Sequence, residues 1–200
     1  ETTSFVPGDF SGAFFQAGVA ELTMACCCIG MALHGGVIAA CGTFFVFSDY
    51  MKPAVRMAAL MELPVKFIWT HDAFRVGEDG PTHHGVFDVG FLRQVPGMKI
   101  LTPASLAEQQ DMLRWAIEDY NGPVAVRYPR GTEGSYQASD WKGLNGELVK
   151  CHCSGKDVAL ITYGSMLDNT LKAAQILAQR GVGATVLRLL TASDLAADQI

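Results

Sequence analysis

The chain has 200 residues, half of them hydrophobic and only 18% charged, with 21 glycines and a formal net charge of −5. That balance argues against disorder, and without a basic cluster it argues against a nucleic-acid or anionic-membrane surface. The length suits one α/β domain, or one domain with part of another.

In chain order, Val19 to Leu33 is apolar on nearly every side, as expected of a helix buried all round, and Gly35-Gly36 ends it. Val37 to Cys41 reads as a short buried strand. Thr43 is placed to cap a helix that sets Phe44, Phe47 and Tyr50 at three-residue spacing on one face. Pro53 is expected to bend or restart that helix, which runs on to Glu62. Leu63 to Thr70 is an apolar strand ending at His71, and Asp72 to Gly85 is a long loop at its C-terminal end. Asp88 is placed to cap a short helix to Gln94, and Met98 to Leu101 is a strand. Ser105 and Glu108 form a capping box for a helix to Tyr120. Val124 to Tyr128 is a strand leading into Pro129-Arg130-Gly131.

From Thr132 to Gly146 the chain turns polar, and residues 136–146 read as a linker between a first domain, 1–135, and the start of a second, 147–200. There Glu147 to Cys153, Val158 to Tyr163 and Ala184 to Leu190 read as strands. Ser165 and Asp168 form a second capping box for a helix that stops at Gly181, and Ile200 lies in what looks like a new helix. Strand–helix alternation predicts an α/β fold: a mostly parallel sheet with helices on both faces, followed by an incomplete second α/β domain. The sequence starts at Glu1 without an initiator methionine or signal peptide and reads as a piece of something longer. No stretch is apolar enough for a membrane span. Cys26, Cys27, Cys28, Cys41, Cys151 and Cys153 lack CxxC spacing, so buried thiols in a reducing cytoplasm are expected.

Four features carry chemistry. Glu21 is the one carboxylate between Ser11 and Ser48, set among Phe14, Phe15, Met24, Cys26 to Ile29 and Met31. Two readings fit it: a core glutamate satisfied by backbone, or a carboxyl with a raised pKa that holds the proton of a ligand nitrogen. Phe44, Phe47 and Tyr50 are either core or a stacking wall for a flat heteroaromatic ring. His71, Asp72 and the loop Gly77-Glu78-Asp79-Gly80-Pro81-Thr82-His83-His84-Gly85 lack metal-ligand spacing, so no metal site is assigned. Polyol recognition or proton transfer suits them better. Arg127 and Arg130 flank a strand end, as an arginine fork for a sugar phosphate would, or as surface ion pairs would.

Gly18-Val19-Ala20-Glu21, Ala32-Leu33-His34-Gly35-Gly36, Thr43 to Tyr50 and Val76 to His83 together resemble the thiamine-diphosphate enzymes of the transketolase family, across residues 9–83. Gly85-Val86-Phe87-Asp88, Val95-Pro96-Gly97-Met98 and Val126 to Gly131 are more similar to the sister 1-deoxy-D-xylulose-5-phosphate synthases, a likeness running over 84–200. The resemblance implies a pyrimidine-binding domain followed by the start of a transketolase C-terminal-like domain. It implies that Glu21 meets a pyrimidine ring nitrogen and that Phe44, Phe47 and Tyr50 pack around the ring. His71, Asp79 and His83 would contact substrate, with Glu21, His71 and His83 catalytic, and Arg130 would hold the phosphate. The implied activity is transfer of a two-carbon ketol unit between sugar phosphates. The alternatives are the decarboxylating synthase reaction and a non-catalytic, partner-dependent subunit. The implied cofactors are thiamine diphosphate and Mg²⁺, held in the family by a separate domain with a Gly-Asp-Gly motif. That motif does not occur in these residues. The expected state is therefore a homodimer, or a heteromer with a diphosphate-binding domain, inactive without it.

Overall fold

The structure, a computed structural model, describes residues 3–9, 11–138, 141–144, 146–194 and 200. Four parallel strands form the first sheet: β1 (Ala40–Phe44), β2 (Lys66–Thr70), β3 (Lys99–Leu101) and β4 (Val124–Arg127), in the order β1-β2-β4-β3. Being parallel, all four end at one edge of the sheet, where the long loops begin. The apolar runs of β2 and β4 are what a sheet covered on both faces requires. On one face, α1 (Glu21–His34), α2 (Ser48–Leu60) and α3 (Asp88–Leu92) enclose Phe45, Phe67, Trp69 and Ile100. On the other, α4 (Leu106–Glu118) packs Met112 and Ala116 on Val124 and Val126.

A second sheet has the order β5 (Val149–Cys153), β7 (Ala184–Leu189), β6 (Val158–Tyr163), and α5 (Met166–Gln179) packs against β6 and β7. β6 runs parallel to β7 and β5 antiparallel. The sheets are joined directly. Thr102 N–H donates to Leu190 O at 3.2 Å, Ala192 N–H donates to Ile100 O at 2.8 Å, and Arg188 of β7 pairs with Glu108 of α4 at 2.8 Å.

Several local expectations are corrected. α1 is apolar but not buried all round. Ala25 and Cys28 are its buried residues, while Leu22, Met31, Leu33, Cys26 and Cys27 face out, because α1 packs through one face only. Cys151 is exposed as well, so the thiols are not uniformly buried. Thr43 caps nothing. It lies inside β1 opposite Trp69, and a 3₁₀ turn at Phe45–Phe47 leads into α2. Pro53 neither ends nor restarts α2, which runs through it. Asp88 is the first residue of α3 rather than its cap.

The first capping box is half formed. Ser105 Oγ accepts from Glu108 N–H at 3.3 Å, but the Glu108 carboxylate turns to Ala104 N–H and Arg188. The second box does not form: Ser165 makes no side-chain cap, and Asp168 is held by Ser135 and Lys172. The helix expected near Ile200 falls largely on residues 195–199, outside the described residues.

Candidate active site

Open parallel sheets bind ligands beyond the carboxyl ends of their strands. At that edge, Gly18, Val19, Glu21, Thr43, Phe44, Phe47 and Tyr50 line a cleft of about 630 Å³. The three aromatic residues come from three elements: Phe44 ends β1, Phe47 ends the 3₁₀ turn and Tyr50 sits in the first turn of α2. They still form one wall. Phe44 and Phe47 stack at 5.8 Å and 17°, and Phe47 and Tyr50 at 6.1 Å and 30°. The core reading of the stripe does not hold for Tyr50, which is 62% exposed.

Glu21 opens α1, where the helix N-terminus favours a negative charge. Gly18, just before it, has φ +67, a left-handed conformation that favours glycine. The water-poor setting expected around Glu21 is not found: Glu21 is half-buried and Val19 is 98% exposed.

Two histidines close over the wall. His71 follows the last residue of β2 and stacks face to face on Phe44, ring centroids 3.6 Å apart. Thr70 Oγ1 and His71 Nδ1 are hydrogen-bonded at 2.7 Å. His71 has φ +55, a conformation that side-chain-bearing residues adopt at some cost and that gathers at functional sites. Burial holds its pKa below the ordinary value. The Asp79 carboxylate acts the other way, and Arg130 and His83 add to the lowering. His83, at the end of a 3₁₀ turn at Pro81–His83, meets Phe47 edge-on at 5.4 Å and Phe44 at 6.2 Å. Glu21, Phe44, Phe47 and Tyr50 thus line one cleft, His71 and His83 pack on the aromatic rings of its wall, and Asp79 is within electrostatic reach of His71.

The loop is closed at its base, where Gly85 N–H donates to Ala73 O at 2.8 Å. Buried Asp88 sits beneath Gly85, and a Cβ there would come within 2.4 Å of Asp88 Oδ2. Of the two readings of the arginines, a phosphate fork and ion pairs, the structure shows ion pairs, one of them buried rather than at the surface. Arg130 turns into the loop, donating both Nη groups to the Glu78 carboxylate at 3.0 Å and Nη1 to Val76 O at 2.8 Å. Arg127 turns the other way, buried against Asp72 at 2.8 Å. Thr43, Thr70 and Asp88 escaped the sequence reading as site residues. Strand pairing and loop closure bring them in, and no local motif marks them.

A stacked wall with a carboxylate at its margin fits a flat heteroaromatic ring bearing a basic nitrogen. Among the described residues, no group of three or more His, Cys, Asp or Glu could hold a metal ion.

Fold and cleft define an α/β ligand-binding domain. Two family models match the chain: transketolase, pyrimidine binding domain, over residues 2–133, and transketolase, C-terminal domain, over residues 147–200. A transketolase of Halalkalibacterium halodurans is 37% identical over 191 residues, covering 93% of this chain and 29% of that protein. A 1-deoxy-D-xylulose-5-phosphate synthase of Gloeobacter violaceus is 35% identical over 192 residues, again 93% of this chain and 29% of that protein. Among solved structures, a Pichia stipitis transketolase in complex with sedoheptulose 7-phosphate superposes with a TM-score of 0.88 at 27% identity, covering 99% of this chain and 31% of that one. The chain belongs to the transketolase family of thiamine-diphosphate enzymes. It spans about 29% of the length of these relatives.

Proposed function

We propose that this chain supplies the pyrimidine-binding side of a cytoplasmic thiamine-diphosphate enzyme that moves a two-carbon ketol unit between sugar phosphates. In this reading residues 1–135 form the cofactor domain and 147–200 begin the C-terminal-like one. The observation that carries it is the shared cleft of Glu21 and the Phe44–Phe47–Tyr50 wall, with His71 stacked on Phe44 and His83 edge-on to Phe47. Glu21 would hold a proton at a ring nitrogen, and the wall would pack against the ring face. Thiamine diphosphate, when bound, supplies a nucleophilic carbon and an electron sink.

His71, held neutral near pH 7 by its lowered pKa, can exchange a hydrogen bond with a substrate hydroxyl or carbonyl without carrying charge into the site. Asp79 and His83 complete the polyol contacts. Arg130, paired with Glu78, offers a phosphate a bidentate partner by exchange of one anion for another. The diphosphate and Mg²⁺ belong to a domain other than the two these residues form, so activity requires that domain, in a homodimer or a heteromer.

The Gloeobacter relative and the Val126 to Gly131 stretch support a second reading, the synthase reaction of pyruvate with glyceraldehyde 3-phosphate. A non-catalytic, partner-dependent subunit is the third. The deciding experiment joins this chain to a diphosphate-binding domain and assays both reactions side by side. Ketol transfer from xylulose 5-phosphate, lost in Glu21→Gln, is the expected result. Turnover of pyruvate alone reverses the order of the two enzymes, and failure of both reactions in an assembled, cofactor-loaded complex favours the third reading.

A further inference from the structure

Arg127 and Arg130 leave one strand end in different directions, and Arg127 faces a separate cavity of about 430 Å³ at the seam between the two sheets. Arg127 is 5% exposed, and Asp72 is its ion-pair partner there, at Nη2. Among the described residues, its Nε has no hydrogen-bond partner. A buried guanidinium with donors to spare is costly unless something else takes them up.

The second sheet provides the rest of the cavity wall. β6 ends at Tyr163, whose ring lies 5.1 Å from the Arg127 guanidinium. Gly164 then turns with φ +57, and a Cβ there would stand 3.6 Å from Arg127 Nη1. Ser165 stands just before α5, a helix of 14 residues, and makes no side-chain cap. Leu167 N–H is taken up by Gly164 O at 3.1 Å, which leaves the Ser165 hydroxyl and the Met166 amide for an anion at this helix N-terminus. From the first sheet, exposed Arg75 reaches the same cavity and makes no ion pair among the described residues. Phe74, 63% exposed, and Tyr163 add ring faces to the wall.

We propose that this seam binds a phosphomonoester. Its phosphate sits among Arg75, Arg127 and the N-terminus of α5, and a ring-bearing body lies against Phe74 and Tyr163. Two guanidiniums against the single Asp72 carboxylate leave an excess positive charge, which with the Met166 amide suits a phosphate dianion. The cavity is much larger than a bare phosphate needs. This site is independent of the Glu21 cleft and of the reaction proposed for it.

The test titrates the full chain with phenyl phosphate and, separately, with inorganic phosphate, following backbone amides by NMR. Saturable shifts at Ser165 and Met166 are expected, with phenyl phosphate binding more tightly than inorganic phosphate. Arg75→Ala, a surface change that leaves the spectrum elsewhere intact, should weaken binding by about tenfold or more, the scale of one charge-assisted contact. Arg130→Ala should not alter it. Shifts absent from Ser165 and Met166, unchanged binding in Arg75→Ala, or loss in Arg130→Ala each overturn the site. Equal affinity for the two anions overturns the role of Phe74 and Tyr163.

Discussion

His71 lies flat on Phe44, ring centroids 3.6 Å apart and planes within 17°. The pair follows from strand register: Phe44 is opposite Thr70 in the β1–β2 ladder, so the residue after Thr70 arrives beside the ring. Stacking shields the imidazole, and burial is the main cause of its lowered pKa, with Asp79 opposing. The His71 ring proton should therefore titrate by NMR with a midpoint below the ordinary value of about 6.5. Phe44→Ala admits water and should raise that midpoint, whereas Asp79→Asn should lower it further. A parent midpoint at or above the ordinary value would contradict the stacked geometry.

Glu108 and Arg188 form an ion pair at 2.8 Å with both side chains fully buried, joining α4 to β7 across the two sheets. Ala104 N–H donates to Glu108 at 2.9 Å and Tyr136 O–H at 3.3 Å, so the carboxylate is well satisfied. Removing one partner strands the other charge. Arg188→Met should cost roughly 3–5 kcal/mol in urea unfolding, the range for broken buried pairs. The double variant Glu108→Leu with Arg188→Met should recover much of that loss. A single-variant cost below about 1 kcal/mol, the value of a surface pair, would show that the contact is not buried in solution.

The layered parallel sheet was legible because β2 and β4 are apolar runs bounded by loops, and the α4 cap was legible because Ser105 and Glu108 are three residues apart. The aromatic wall was legible as a spacing, but not as geometry: Phe44, Phe47 and Tyr50 come from a strand, a 3₁₀ turn and a helix rather than one helix face. The divergence of Arg127 from Arg130 could not be read locally, because it depends on Asp72 and Glu78, which lie more than fifty positions earlier. The apolar composition of α1 suggested burial, yet composition does not say which faces find partners. Leu22, Met31 and Leu33 remain exposed.

Lys66 is 2% exposed, and its ammonium donates to Tyr120 O at 2.8 Å and Gly122 O at 3.1 Å, with no carboxylate partner among the described residues. Burial pushes its pKa down to about 8. The unfolded lysine keeps its ordinary, higher value, so between about 8 and 10.4 the unfolded chain binds more protons and stability rises with pH. Below that window the burial penalty is present in full. Lys66→Met should flatten this rise, measured as the parent-minus-variant difference in urea midpoint between pH 7.5 and 10. A parallel pH response in the two proteins would exclude Lys66 as its source.

Asp88 has the opposite sign. It is 4% exposed beneath Gly85, Oδ2 has no hydrogen-bond partner among the described residues, and its pKa is raised to about 7. Burial is the largest cause. Asp49 and Asp72 also raise the value, while Lys52 and Arg127 act against them. An unfolded aspartate titrates near 3.9, so between about 4 and 7 the native chain holds the extra proton. Its stability contribution is complete below that window and is lost as pH rises through 7. Asp88→Asn keeps the shape without the charge and should be less pH-sensitive, gaining on the parent from pH 5 to pH 8 in matched urea titrations. Because Asp88 underlies the base of the loop that carries Asp79 and His83, amide exchange at Ala73 and Gly85 should also quicken with rising pH in the parent but not in Asp88→Asn. A parent whose stability and loop exchange stay level with the variant across that range would place the Asp88 carboxylate in water rather than under the loop.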